Sequence, residues 1–155
     1  MRADNSILIR APLAEIYELA AAVERWPAFL PHYRYVRVRE VRGHARLLEM
    51  AARRDWIPVW WLALQECQPE VPEIRFRHVG GITTGMDVAW RFAPGPEGVW
   101  VSIHHNLNLG WPIVGRPIAD CIVGPLFVEY IATQTLARIK LLAEARSVTT
   151  PGDAG

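Results

Sequence analysis

Polar residues that interrupt apolar strand patterns are the candidates for chemistry in this sequence. His78 and His105 each stand on the side of an alternating segment that is otherwise apolar, and Arg54 does so on a third segment. Imidazole and guanidinium groups on the wall of an apolar cavity can orient a keto or phenolic ligand by hydrogen bonding. The pattern leaves open a purely structural alternative, in which the histidines are hydrogen-bonded core residues and Arg54 extends to the rim.

Gln65 and Glu66 close a segment that is apolar on both sides, so one of the two must point inward. A buried charge without a partner is destabilising. An inward Arg54 or Glu66 would therefore require the other one or a ligand. The sequence does not decide whether Gln65 or Glu66 faces the interior.

Known catalytic and metal-binding signatures are missing. The sequence contains no nucleophile-elbow, zinc-protease, phosphate-loop or dinucleotide-binding pattern. His104 and His105 are adjacent on a predicted strand, so they point to opposite faces and cannot share a metal ion. The sequence therefore predicts no cofactor and no metal site, and it assigns no catalytic residue.

The composition is typical of one soluble domain. The chain has 155 residues, of which 51% are hydrophobic and 21% charged, and its net charge of +1 favours neither nucleic acid nor an anionic membrane as a partner. No segment resembles a signal peptide or a transmembrane span. Cys67 and Cys121 fit neither a CxxC pair nor a disulfide framework. We expect a cytoplasmic protein with both cysteines reduced and unpaired.

The longest predicted element is a C-terminal helix over residues 125–145. Val128, Ala132, Thr135 and Ile139 recur at steps of four and three, so they share one helical face. At 1.5 Å per residue the helix is about 30 Å long and needs a broad surface to cover its apolar stripe. The pair Gly124 and Pro125 predicts a kink or a fresh helix start.

Strand patterns fill most of the chain before this helix. Short helices are predicted over residues 13–23 and within 26–31, and the segment 57–67 is predicted to be covered on both faces. Short turns between successive strands require antiparallel pairing. The prediction is an α+β fold, a curved antiparallel sheet of about seven strands wrapped around the C-terminal helix, in a domain over residues 1–146 with a disordered tail at 147–155. The predicted strands cover residues 5–10, 33–42, 45–56, 57–67, 74–78, 86–92 and 99–107.

Several runs of this sequence share their residue types and spacing with one known family. They are the segments 5–12, 16–19 and 23–31, the strand around Trp90, and the segments 110–115 and 127–132. In these runs the chain resembles the polyketide cyclase/dehydrase branch of the START-like (SRPBCC) superfamily, over residues 4–145. The resemblance implies a helix-grip fold with one deep hydrophobic cavity.

The same resemblance implies three kinds of function. One is binding of a hydrophobic or aromatic small molecule without catalysis, and another is a polyketide cyclase or aromatase with an acyl carrier protein as a partner. A third is a coenzyme-Q-like or lipid-binding carrier. The cyclases use an inward arginine late in the fourth strand, where this chain has Leu64, Gln65, Glu66 and Cys67. Arg53 or Arg54 on the neighbouring strand would have to substitute.

The predicted cavity lies between sheet and helix. A simple meander brings the strands of Phe76, Trp90 and Ile103 side by side, so their core-facing side chains converge. His32 and Tyr33 could line the entrance, and the seven tryptophans either line the pocket or pack the core and rim. The predicted pocket residues are Met50, Arg54, Trp56, Phe76, His78, Met86, Trp90, Ile103, His105, Phe127 and Ile131.

Overall fold

A curved seven-stranded antiparallel sheet dominates the structure, a computed structural model that describes residues 2–107 and 125–149. The strands lie in the order β1-β7-β6-β5-β4-β3-β2, so the first strand pairs with the last and every other neighbour is a hairpin partner. The predicted α+β helix-grip fold is confirmed. The strands are β1 (Arg2–Ile9), β2 (Tyr33–Arg42), β3 (Ala45–Arg54), β4 (Ile57–Gln68), β5 (Glu73–Gly81), β6 (Met86–Gly95) and β7 (Gly98–Leu107).

The described helices pack on one face of this sheet. Helix α1 (Leu13–Ala21), a turn of 3-10 helix (Val23–Arg25) and helix α2 (Trp26–Phe29) connect β1 to β2, and helix α3 (Pro125–Thr149) follows β7. The Tyr17 ring of α1 packs against Phe92 of β6 at 5.2 Å, and Trp26 of α2 packs against Trp90 at 5.8 Å. These aromatic contacts fix which face of the sheet is the inner one.

Helix α3 is attached to the first strand by polar contacts near its C-terminal half. The Lys140 ammonium donates to the Leu8 carbonyl oxygen at 2.6 Å and to Glu144 at 2.8 Å. The backbone N–H of Arg10 donates to the same Glu144 carboxylate at 3.1 Å. Because β1 lies next to β7, these bonds hold the helix across that end of the sheet.

The prediction that residues 57–67 are covered on both faces is wrong. Val59, Trp61, Ala63 and Gln65 of β4 are buried, but on the other face Trp60 is 53% exposed. The prediction was wrong because the outer face of β4 also carries apolar residues, and these are exposed. In the part of the chain that the structure describes, the helices cover only the inner face.

Several boundaries differ from the sequence-based ones. Strand β1 starts at Arg2, and α3 continues through residues 147–149, which were expected to belong to the tail. The described part of α3 begins at Pro125, so the predicted kink or fresh helix start involves residues outside the described ones. Cys121 also lies outside them. Cys67 is a free thiol. Among the described residues no helix is both long and apolar enough to cross a membrane.

Gly81 ends β5 where the chain runs close to β4. Its φ is +83°, and a Cβ there would lie 2.5 Å from the Trp60 carbonyl oxygen and 2.8 Å from Cα of Trp61. We expect Gly81→Ala to lower the free energy of unfolding by about 3 kcal/mol, because both the dihedral angle and the contact with backbone atoms are unfavourable. Urea denaturation followed by circular dichroism measures the loss.

Gly43 provides the matched control for this substitution. Its φ is +58°, but a Cβ there meets nothing within 4 Å. Gly43→Ala should therefore cost only about 1 kcal/mol, from the dihedral angle alone. Equal losses for the two variants would contradict the role assigned to the close approach of β4.

Candidate ligand-binding cavity

A cavity lies between the inner face of the sheet and the N-terminal half of α3. It contains about 580 Å³ of space between atoms, including the part that opens to solvent. Strands β2 to β7 supply one wall, and Phe127 and Ile131 of α3 contribute to the other. Nine of the eleven predicted residues line it, namely Met50, Phe76, His78, Met86, Trp90, Ile103, His105, Phe127 and Ile131.

Trp56 and Arg54 do not line the cavity. The prediction for Trp56 is wrong, since its side chain is 86% exposed. Strand β3 ends at Arg54, and Asp55 turns the chain with a φ of 54°, so the alternation that included Trp56 does not reach it. The Arg54 guanidinium lies 5.2 Å from the Tyr130 ring centre on α3, where it makes a cation–π contact.

Other wall residues were not among the predicted set. The sequence pattern could have identified some of them. Val88 lies on the same side of its strand as Trp90, and the apolar face of α3 includes Val128, Ala132 and Thr135. Trp61 had no usable signal because its strand is apolar on both parities, and Thr83 lies in the loop between β5 and β6. The additional wall residues are Trp26, Tyr33, Trp61, Thr83, Val88, Val128, Ala132 and Thr135.

Aromatic rings pack edge to face and face to face along the wall. The Trp26 ring lies 5.0 Å from Tyr33, and Tyr33 lies 6.2 Å from Trp61. Trp61 stacks on His78 with ring centres 5.6 Å apart and an angle of 5° between the planes. Such pairs add about 1 kcal/mol each beyond the area they bury. The wall is therefore a connected aromatic surface.

His78 is buried and hydrogen-bonded within the wall. Its Nδ1 lies 2.6 Å from the Thr83 hydroxyl oxygen. Burial, with a smaller effect from nearby His105, lowers the pKa of His78 to about 3. The side chain is therefore neutral at physiological pH.

His105 is the second imidazole on the wall. Burial lowers its pKa to about 4, although the Ala3 backbone and the Asp4 carboxylate oppose this effect. Its Nδ1 is buried and has no hydrogen-bond partner. The indole Nε1 of Trp61 is also buried without a hydrogen-bond partner.

His32 is buried under α3 and is not one of the wall residues. Its Nε2 lies 3.1 Å from the Thr135 hydroxyl oxygen, and that hydroxyl donates to the Ile131 carbonyl at 2.7 Å. Since the hydroxyl proton is already used, the His32 ring donates to Thr135. Burial and the positive charge of Arg138 lower the pKa of His32 to about 4.

Gln65, not Glu66, points inward, but it lies away from the cavity. Its amide nitrogen donates to the Ala21 carbonyl at 2.9 Å, and its oxygen accepts from Arg46 Nε at 3.0 Å. Glu66 is on the exposed face of β4. The Gln65 and Arg46 pair thus ties the end of α1 to the sheet.

The cavity wall is neutral over the residues that the structure describes. None of the described wall residues is Asp, Glu, Lys or Arg. Within residues 2–107 and 125–149 no group of three or more potential ligands could hold a metal ion. An arrangement of this kind is suited to an apolar ligand with a few hydrogen-bonding groups.

A long helix packed across a curved antiparallel sheet, with a cavity between them, is the arrangement of a helix-grip fold. A family model described as polyketide cyclase / dehydrase and lipid transport matches residues 9–120, and the chain belongs to this family. Comparison with curated protein sequences finds no significant match.

Solved structures share the fold over almost the whole chain. The Zhui aromatase/cyclase of a Streptomyces species is 16% identical with a TM-score of 0.83, covering 100% of this chain and 98% of its own. A protein from Thermus thermophilus is 23% identical with a TM-score of 0.73, covering 92% and 99%. A STAR-related lipid transfer protein from Xanthomonas axonopodis is 11% identical with a TM-score of 0.62, covering 92% and 85%. At these identities the similarity establishes the shared fold.

Proposed function

We propose that the protein binds a hydrophobic or aromatic small molecule in the cavity between the sheet and α3, without transforming it. The observation that carries this proposal is the wall, which is aromatic, and neutral over its described residues. Ligand sites of this kind are mostly apolar, with a few polar groups that orient the ligand. Membership in a family described by both cyclisation and lipid transport supports a ligand of low polarity.

The titration behaviour of the wall supports binding over proton transfer. General acid–base catalysis is most effective when the pKa of the catalytic group lies near the operating pH. The pKa values of His78 and His105 are about 3 and about 4, so both are weak bases and are almost never protonated at neutral pH. Burial raises the pKa of Tyr33, which makes its phenol a weaker acid. These groups are suited to neutral hydrogen bonding.

A polyketide cyclase or aromatase, served by an acyl carrier protein, is the second candidate. The family description and the shared fold of the Zhui aromatase/cyclase favour it. Against it, the inner side of β4 carries Val59, Trp61, Ala63 and Gln65, with no arginine. A carrier in quinone or lipid metabolism would also bind its ligand without transforming it, so it is a special case of the first proposal. Location of the protein in the cytoplasm stays a prediction.

Partly filling the cavity should weaken binding. Ala132 is a buried wall residue on α3, so Ala132→Leu adds volume inside the cavity. We expect this variant to weaken binding of phenylnaphthylamine, a neutral dye that fluoresces in apolar surroundings, by about tenfold or more, because one or two methylene groups decide fit in a packed site. Fluorescence titration gives the dissociation constants.

The control is Ala137→Leu, which makes the same change on the exposed face of α3. It should leave dye affinity unchanged, and thermal melts show whether either variant is unfolded. If the Ala132→Leu protein and the unaltered protein bound the dye with equal affinity, the cavity would not be the binding site. A folded, unaltered protein that binds no neutral aromatic probe would overturn the proposed function.

A further inference from the structure

Three polar residues on the outer face of the sheet form a connected chain of hydrogen bonds. Nδ1 of His104 lies 2.7 Å from Oδ1 of Asp4, and Nε2 of the same ring lies 3.1 Å from Oγ of Ser102. Asp4 is on β1, 100 residues before His104 on β7, so no local sequence motif contains the set. This is the order of contacts by which a carboxylate orients an imidazole toward a serine hydroxyl.

The set is separate from the cavity. Ile103 and His105 of β7 are buried on the inner face, and successive side chains of a strand point to opposite faces. Ser102 and His104 therefore point outward. The His104 side chain is 37% exposed, that of Asp4 is 69% exposed, and Ser102 is partly exposed. A substrate can reach these groups from solvent.

The hydrogen bonds fix the tautomer of the neutral His104 ring. A carboxylate only accepts, so Nδ1 carries the ring proton and donates to Asp4. Nε2 then has a free lone pair and accepts the hydrogen bond of the Ser102 hydroxyl. The imidazole is thus held in the form that can remove the proton of Ser102 when its oxygen attacks a substrate.

A cation stands beside the serine. Arg91 of β6 is the register partner of Ser102, and side chains directly opposite each other on antiparallel strands have Cβ atoms about 5 Å apart. Arg91 is exposed, and Glu73, its register partner on β5, pairs with Arg75 instead. The Arg91 side chain is long enough to reach the oxygen that becomes negative when Ser102 attacks a carbonyl group.

An exposed indole lies along the strand from the serine, on the side away from His104. Trp100 is two residues before Ser102 on the same outer face, and it is 52% exposed. Its register partners are Leu8 on β1 and Ala93 on β6, so the surface around it is apolar. An aromatic group of a substrate can pack here while the carbonyl carbon lies at Ser102.

We propose that Ser102, His104 and Asp4 form a hydrolytic site on the outer face that cleaves small, neutral aryl esters. Ser102 Oγ bonds to the acyl carbon as its proton passes to His104 Nε2, and Arg91 stabilises the negative carbonyl oxygen. The ester C–O bond then breaks, and the imidazolium returns the proton to the departing phenol oxygen. Water repeats these steps on the acyl-serine and releases the carboxylic acid. This activity goes beyond the proposed ligand binding and does not involve the cavity.

Release of nitrophenol from p-nitrophenyl acetate, followed by absorbance, measures the activity. Ser102→Ala should lower kcat about a hundredfold, because it removes the nucleophile. Ser6→Ala is the matched control, since Ser6 is the exposed register partner of Ser102 on β1. Both ring nitrogens of His104 are already used by Asp4 and Ser102, so the control should leave kcat unchanged.

Further variants separate the positioned imidazole from an ordinary surface histidine. His104→Gln should lower kcat about a hundredfold. His44→Gln, in the exposed turn between β2 and β3, should leave it unchanged. Asp4 is a positioning residue, so Asp4→Asn should lower kcat about tenfold with KM unchanged, and Asp4→Glu should restore part of the loss. Thermal melts show whether each variant is folded.

Covalent labelling tests the site without any substitution. Diisopropyl fluorophosphate reacts with an activated serine, so it should add one phosphoryl group to the unaltered protein, at Ser102, as located by peptide mass spectrometry. Excess phenylnaphthylamine should leave hydrolysis unchanged, because the dye is a ligand of the cavity on the other face of the sheet.

The outcomes separate this inference from the proposed function. Hydrolysis no faster than in buffer, no label at Ser102, or equal rates for the Ser102→Ala and Ser6→Ala proteins would overturn the hydrolytic site and leave ligand binding in the cavity in place. Inhibition of hydrolysis by the dye would assign the reaction to the cavity. That result would overturn both the outer site and the proposal of binding without transformation.

Discussion

Acidification is expected to remove about 5 kcal/mol of folding stability between neutral pH and about pH 5, through three buried histidines. Burial is the largest cause of the low pKa of each one, which is about 4 for His32, about 3 for His78 and about 4 for His105. Arg138 lowers the pKa of His32 further and His105 lowers that of His78, whereas the Ala3 backbone and the Asp4 carboxylate raise that of His105. The folded protein keeps all three rings neutral down to about pH 5, so their effects add in this range.

Stability falls on acidification because the histidine pKa is 6.5 in the unfolded chain, well above its value in the folded protein. Below this value the unfolded state binds protons that the folded state excludes, so unfolding becomes more favourable as the pH falls. The stabilisation is fully present above pH 6.5 and is lost as the pH approaches about 4. Each histidine contributes about 1.4 kcal/mol per pH unit within this window.

Urea denaturation at several pH values measures this dependence, and His105→Phe is the internal control. With one of the three histidines removed, the slope of stability against pH should fall by about a third. Hydrogen-bonded Glu49 and Glu144 have lowered pKa values and titrate below the usual 4.5, so they act at the acid end of the window. A protein equally stable at neutral pH and at about pH 5 would contradict the assigned burial of these rings.

The fold could be predicted because the main patterns depend on local periodicity. Strands β5, β6 and β7 alternate cleanly between apolar and polar residues, and a half-buried sheet has that period. The apolar face of α3 likewise follows from helical spacing. The same parity argument placed His78, Trp90 and His105 correctly on the inner face of the sheet. Short hairpin connections then fixed the order of the neighbouring strands.

The sequence failed where parity carries no information or where a turn interrupts it. Trp61 lies in a strand with apolar residues on both sides, so the pattern could not separate it from the exposed Trp60. Trp56 was assigned by extending an alternation through Asp55, whose left-handed backbone ends the strand.

Contacts between residues that are far apart in the chain could not be predicted from the sequence either. His32 and Thr135 are 103 residues apart in the chain, and only the packed helix brings them together. The unpartnered state of Trp61 Nε1 and His105 Nδ1 depends in the same way on every neighbour around them. Local patterns identify which residues face inward, but the satisfaction of each polar atom is a property of the assembled cavity.

Removal of the Trp26 side chain is expected to lower the free energy of unfolding by about 4 kcal/mol. Trp26 is 2% exposed and joins α2 to the sheet through ring contacts with Tyr33, Phe76 and Trp90. Its indole nitrogen also donates to the carbonyl oxygen of Leu19 in α1. Trp26→Ala leaves a void at the point where both short helices meet the cavity wall, and the wall cannot collapse into it without separating these rings. Urea denaturation at neutral pH measures the loss.

Trp56→Ala is the matched control, because it deletes the same side chain from a site that is 86% exposed. Surface substitutions of this kind change stability by less than about 0.5 kcal/mol. The difference between the two variants therefore isolates the packing of Trp26 from the general effect of losing an indole. If both variants lost a similar amount of stability, α2 would not be held to the sheet by this side chain, and the aromatic wall would need another anchor.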